Sequence, residues 1–285
     1  MLFLIDAVRL RKMVDEAART RLDSEAAKWA AAWLLAKPCR AMGLLIDEVD
    51  MMTLLQFWLG ERSRGAEFCA RCKSPMDRHG HHAVTCKFGG NVSRRHNALR
   101  DCFFKFCKQA RITASKERGA NYRDKTRPAD ILLSPSFGSL QFVSDALDFA
   151  VTSPHIFNPV GAGGGSEVSL SQVSFYEQEK HRLNSPKCSE LNWRVVPMVV
   201  STFGEWGEEA QPIFKYVADE LAVCAGSKVP RGSVLASIYA RMGVQLMKAN
   251  AMAIRSCGGV SVGSSELLNP VAGAGPFLKG FRSHL

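Results

Sequence analysis

Apolar positions recur at three- and four-residue steps through residues 8–35, where Ala26, Trp29, Ala30 and Trp33 fall on one side of a run rich in Ala, Leu, Arg, Lys and Glu. That spacing predicts a helix, which Lys37-Pro38 ends. A second helix is expected over 47–59, with Met51, Leu54, Leu55 and Trp58 on one face and a stop at Gly60. A third, over about 93–110, turns Leu99, Phe103, Phe106 and Cys107 inward. Beyond it the period shortens. Strands are expected at 129–133, 139–143 and 147–152, separated by the turn formers Ser134-Pro135 and Phe137-Gly138. A helix over about 169–183 precedes RVVPMVVS at 194–201, which reads as a buried strand. Its Pro197 cannot donate to a ladder, so that strand belongs at an edge or carries a bulge. Two helices follow, over about 208–224 and 232–256, the latter with Leu235, Ile238, Met242 and Leu246 on one stripe. Helix, strands, helix, strand, helix is the order of an α/β sandwich, a mixed sheet flanked by helices.

Composition narrows the class. A chain of 285 residues, 46% hydrophobic and 22% charged, can bury a real core. No apolar run approaches the roughly 20 residues of a membrane span, and MLFLI is too short for a signal peptide before Arg9, Arg11 and Lys12. An intracellular protein without a membrane partner is expected. Nine irregularly spaced cysteines, an odd number, do not describe a secreted disulfide scaffold. A net charge of +10 and a pI near 9.3 favour a polyanionic partner over a neutral metabolite. The basic residues gather loosely over 87–127, which could lie along a nucleic-acid backbone. The loop GAGGG at 161–165 lacks the Lys-Ser/Thr ending of a phosphate loop.

One compact cluster carries metal chemistry. Cys69 and Cys72 stand two residues apart, so both thiolates of one tight turn can reach a single tetrahedral ion. After nine intervening residues, His82 and Cys86, with three between them, supply a second pair. Four ligands make a closed, structural Zn²⁺ site, and binding would order a segment too polar to form its own core. His79 and His81 are rivals for the third position. A two-zinc adaptor would need two interleaved ligand sets, and the sequence has one.

Metal-dependent phosphodiester hydrolysis needs carboxylates converging from strand ends to hold Mg²⁺, with a lysine or water network to activate the nucleophile. Glu117 closes a possible strand, Asp130 opens one, Asp148 sits within ALDFAVTSP, and Lys180 lies on the following helix. Leu147, Phe149 and Val151 alternate around Asp148 as in a half-buried strand, while Asp145 remains a competing second acid. Arg94, Arg95 and His96 open the helix after the zinc cluster, where they could grip a phosphate. His96 reads equally as a structural tie between the zinc module and the core. Cys102, Cys107, Cys188, Cys224 and Cys257 read as core thiols.

In this order the motifs resemble the C-terminal region of non-LTR retrotransposon proteins, which carry a zinc motif and a PD-(D/E)XK endonuclease behind their reverse transcriptase. The resemblance rests on Cys69, Cys72, Asp77, Gly80, His82, Cys86, Arg95, His96, Asn97, Glu117, Arg127, Pro128, Asp130, Asp148, Glu179 and Lys180. Upstream AWLLAKPC, LLIDEV and LQFWLGER and downstream FGEWGEEA extend it over most of the chain. It implies a restriction-endonuclease-like core that nicks target DNA, with Asp130 and Asp148 on the catalytic Mg²⁺, Glu117 assisting, and DNA, with element RNA as a further candidate, as partner in the nucleus. Two departures stand out. Position 150, where the family has lysine, is Ala150, which leaves Lys180 to act from the helix; and 17 residues separate Asp130 from Asp148, against 14 for Asp145. No polymerase signature is visible. The expected organisation is a helical segment 1–62, a zinc module 63–92, a nuclease domain 93–225, a C-terminal helix 226–257 and a loose tail 258–285. The alternative is a zinc-stabilised nucleic-acid-binding remnant without cleavage activity.

Overall fold

The computed structural model describes residues 16–61, 67–116, 129–135, 137, 141–156, 171–226 and 229–258. Its helices are α1 (Glu16–Ala26), α2 (Glu48–Leu59), α3 (His81–Thr85), α4 (Asn91–Gln109), α5 (Gln172–Glu190), α6 (Ala210–Cys224) and α7 (Arg231–Ser256). Four strands, β1 (Ala114–Lys116), β2 (Ile131–Leu133), β3 (Ser144–Thr152) and β4 (Trp193–Ser201), form one mixed sheet in the order β1-β2-β3-β4. The first three pair antiparallel, and β4 pairs parallel to β3 after the crossover through α5.

Alternation along the strands builds two layers. Leu147 and Phe149 of β3 and Val196, Met198 and Val200 of β4 face a large core shared with α4, α6 and α7. Ala146 and Val195 face the other way, onto Cys188 of α5. The sheet is thus sandwiched between α5 and the remaining helices, the mixed α/β arrangement that the pattern predicts. Pro197 fits because β4 has a neighbour on one side only among the described strands, so the missing N–H costs no ladder bond there.

Three boundaries differ from the expectation. The first helix, of which 8–15 lie outside the described residues, breaks after Ala26. Trp29 takes a left-handed backbone (φ 72°) to stack on Tyr239 with ring centroids 4.8 Å apart. A 3-10 turn, Ala30–Leu35, then buries Ala30 and Trp33. Of the expected strand 139–143, the described residues 141–143 are not extended ladder; β3 starts at Ser144 and runs for 9 residues. Helix α5 continues past the expected end near Leu183 and across Pro186, because Cys188 packs on the sheet. Residues 161–165 and the tail from 259 lie outside the described residues. No helix among those described is long and apolar enough to cross a membrane.

Close approach of the N-terminal segment to the turn after β4 depends on Gly204. Its φ is +92°, and an added Cβ would meet the Ala30 carbonyl oxygen at 2.9 Å. Gly204→Ala is therefore expected to destabilise the chain by about 1–3 kcal/mol in denaturant unfolding. Gly232→Ala, at an open position in the first turn of α7, is expected to be neutral or slightly stabilising.

Candidate functional site

The Cys/His segment folds around its own turns. Cys69 N–H donates to Ser74 O at 2.8 Å and Lys73 N–H to Cys69 O at 2.9 Å, with Lys73 in a left-handed conformation (φ 65°) that closes the loop. Asp77 then starts α3: its carboxylate accepts from the backbone N–H groups of His79 (2.9 Å), His81 (3.0 Å) and His82. Burial works to raise the Asp77 carboxyl, but these three donors hold it below the usual carboxylate range. The cap fixes His82 opposite the knuckle.

The result is a four-atom cluster. The ligand atoms of Cys69, Cys72, His82 and Cys86 all lie within 4.8 Å of one another. Cys69 Sγ is 3.9 Å from Cys86 Sγ, and Cys72 Sγ is 3.1 Å from His82 Nε2, separations that a tetrahedral zinc with bonds of about 2.0–2.3 Å can span. Burial opposes ionisation of Cys69, yet the N–H groups of Cys72 and Arg71 and the thiols of Cys257 and Cys72 bring it down to about 7. A soft, partly ionised Cys3His set of this geometry can bind zinc. The rival histidines are engaged elsewhere. His79 Nδ1 lies 3.1 Å from Gly60 O, and His81 stacks on His155 with centroids 3.6 Å apart.

The module seats on the end of α7 and does not stand apart from the core. Ala70 N–H donates to Cys257 O at 3.0 Å, and Arg71 Nε to Ser256 O at 3.1 Å. Cys69, Ala83, Val84 and Cys86 belong to the same buried cluster as the sheet's main face.

A second constellation forms where β2, β3, α4 and α5 meet. Asp130 N–H donates to Leu147 O at 2.9 Å, fixing the aspartate at the mouth of β2 beside β3. Its Oδ2 accepts from the Phe149 backbone N–H at 2.7 Å and from His96 Nε2 at 2.9 Å. Asp148 lies opposite Asp130 across the β2–β3 ladder, one step beyond the Ile131–Leu147 pair, and the two carboxyl groups interact. Lys180 Nζ donates to Asp148 Oδ1 at 2.8 Å, and Asn184, one helical turn later, donates to Oδ2. Two helices on opposite faces of the sheet thus converge on one pair of acids.

The electrostatics split that pair. Burial pushes the Asp148 carboxyl up, Lys180 opposes it and Asp130 reinforces it, leaving Asp148 above the ordinary aspartate range. Burial acts on Asp130 too, but the His96 hydrogen bond and charge outweigh it, with Phe149 N–H and Lys180 assisting, so Asp130 sits lower. Reciprocally, the Asp130 hydrogen bond lifts His96 against its own burial.

Other expected site residues fall elsewhere. Asp145, the rival acid, is fully buried on the other side of β3; Arg194 Nε donates to it at 2.7 Å and Phe137 N–H at 2.7 Å. Glu117 lies outside the described residues. Arg95, grouped with the phosphate contacts, is 3% exposed and donates to Asn250 Oδ1 at 2.9 Å, so it braces α4 against α7 instead of facing solvent. Burial lowers its guanidinium to about 10. Arg94 alone of the trio is exposed, its Nη2 donating to Gly89 O at 2.7 Å. His96 turns toward Asp130. Two residues escaped the sequence reading. Asn184 follows Lys180 at helical spacing and was findable by that period. Glu177, one turn before Lys180, is buried and accepts from Glu209 N–H at 3.1 Å; nothing in its local sequence marks it.

No family model matches the chain, and no curated protein matches it.

Two outcomes follow. Purified chain is expected to carry about one zinc, and Cys72→Ser or strong chelation to lower its melting midpoint by roughly 10 °C, read by metal analysis and thermal scanning. Glu177 is pushed up to about 7, chiefly by burial, with Glu209 and Glu208 adding to it. A raised acid favours the folded state while protonated, so its contribution is complete below the unfolded value near 4.5 and is lost as pH rises through about 7. Relative to wild type, Glu177→Gln should therefore gain ~1–3 kcal/mol of unfolding free energy between pH 4.5 and 8; parallel stability curves for the two proteins would refute this.

Proposed function

We propose that the chain is a metal-dependent endonuclease acting on nuclear DNA, of the restriction-like type carried by non-LTR retrotransposons. The observation that carries the reading is the convergence of Asp130 and Asp148 with Lys180 Nζ 2.8 Å from Asp148 Oδ1. The element order supports it too: a helix, a three-strand antiparallel meander, a crossover helix and a fourth strand parallel to the third.

The donor set suits Mg²⁺. Two hard carboxylates in contact repel each other, and a divalent cation held by one or two carboxylates and waters relieves that repulsion. Asp130 and Asp148 would hold it. When bound, it supplies Lewis acidity and lowers the pKa of attacking water. The chain's own residues do the rest. His96 keeps Asp130 ionised and oriented through Oδ2. Asn184 fixes Asp148. The Lys180 ammonium brings positive charge to the place where charge accumulates on the phosphoryl oxygens, the task of the lysine missing at Ala150. Arg94, exposed beside the zinc module, offers a backbone phosphate contact.

A non-cleaving nucleic-acid-binding remnant is the second reading, favoured by the fact that both Asp148 oxygens are already bonded, to Lys180 and Asn184. Nicking of supercoiled plasmid in Mg²⁺ separates the two. The first reading expects nicking in wild type, none above background in Asp130→Ala, and a loss of about 10²–10³-fold in Lys180→Ala. No nicking, or nicking unchanged in Asp130→Ala, sinks it.

A further inference from the structure

The faces of α4 and α7 turned away from the acids enclose a separate cleft. Arg94, Ala98, Asp101 and Lys105 follow one another at four- and three-residue steps along α4, and Arg241, Gln245 and Lys248 do the same on α7. Together with residues 40–44, all of these but Arg94 line a cavity of about 650 Å³, which continues past Ala98 and Lys248 into a recess lined by Arg94. From Arg94 to Lys105 the α4 side spans roughly 16 Å. His96 projects about 200° around the helix from Arg94, so the cleft is separate from Asp130.

Its charge is one-sided and uncompensated. Arg40, Lys105, Arg241 and Lys248 line it, and none forms an ion pair among the described residues. Lys248 Nζ donates to the carbonyls of Gly43 (3.3 Å) and Leu45 (3.1 Å), and Arg241 lies 4.3 Å over the Phe106 ring. These contacts place the cations without neutralising them. The one carboxylate in the lining, Asp101, is held by Arg100 at 3.0 Å and Lys116 at 3.1 Å. Cations gathered in a concave, half-buried cleft repel one another, and an anionic chain laid along it relieves that repulsion. No aromatic side chain lines the cleft, so it offers no platform for base stacking. Its volume suits a few nucleotides and not a duplex.

We infer that this cleft binds the phosphodiester backbone of a single nucleic-acid strand, without sequence preference. Hydrolysis at Asp130 is not required for this. Recognition is by charge, so DNA and RNA strands share the chemistry and are told apart by experiment.

The test is fluorescence anisotropy of the zinc-loaded chain with labelled homopolymeric single strands, as DNA and as RNA, and a duplex of equal length, all without Mg²⁺. The absence of Mg²⁺ makes the outcome independent of whether plasmid is nicked. Arg40 and Lys105 are exposed, so the double variant Arg40→Gln/Lys105→Gln keeps the packing contacts of Arg241 and Lys248. Expected are about a ten-fold loss of single-strand affinity and a salt dependence flattened by about 1.4 in log–log slope, two phosphate contacts at ~0.7 each. Equal loss for DNA and RNA assigns the contact to the shared backbone; a tighter RNA complex, equally weakened, adds the 2′-hydroxyl. A double variant that binds like wild type, wild type that binds no strand, or a duplex held as tightly as the strand overturns the inference.

Discussion

Two carboxylates in contact inside a folded chain set the terms for everything around them. At ~4 Å and an effective dielectric near 20, like charges repel by on the order of 4 kcal/mol. That energy must be met by cations, donors or a proton. Asp130 and Asp148 are met from both faces of the sheet, by His96 of α4 on one side and by Lys180 and Asn184 of α5 on the other. The crossover that makes β4 parallel to β3 is what lays α5 under Asp148. The packing of α4 against the opposite face is what brings His96 to Asp130.

The position of α4 rests in turn on the Cys/His module and on α7. Asn91 reaches Ser256, Arg95 reaches Asn250, and the knuckle at Cys69 to Cys72 hangs on the last turn of α7. A bound zinc would lock the loop that leads directly into α4, so the metal cluster and the acid pair share one rigid helix. Arg95 shows the cost of that bracing: a buried guanidinium with a neutral amide as its partner.

Much of this was legible in the sequence because the signals were local. The spacing of Cys69, Cys72, His82 and Cys86 specified the cluster, and three- and four-residue hydrophobic steps specified α2, α4 and α7. Alternation around Asp148 left Asp145 as a rival, because the partner that engages the Asp145 carboxylate, Arg194, is 49 residues away. What stayed hidden was non-local or conformational. Nothing near Trp29 announces a left-handed residue that lets it stack on Tyr239, 210 positions later. Adjacent arginines at the start of a helix look alike in sequence, but 100° of rotation sends Arg94 to solvent and Arg95 into the core. The α4–α7 cleft depends on two helices separated by 121 residues, so no window of sequence contains it.

Whether the acid pair is a metal site is decided most directly by anomalous diffraction from crystals soaked in Mn²⁺. A catalytic metal site there predicts one Mn²⁺ peak at the carboxylates of Asp130 and Asp148, with Lys180 displaced from or shared with Asp148. No peak there, with Asp148 still held by Lys180 and Asn184, would contradict it and leave the pair a structural ion network.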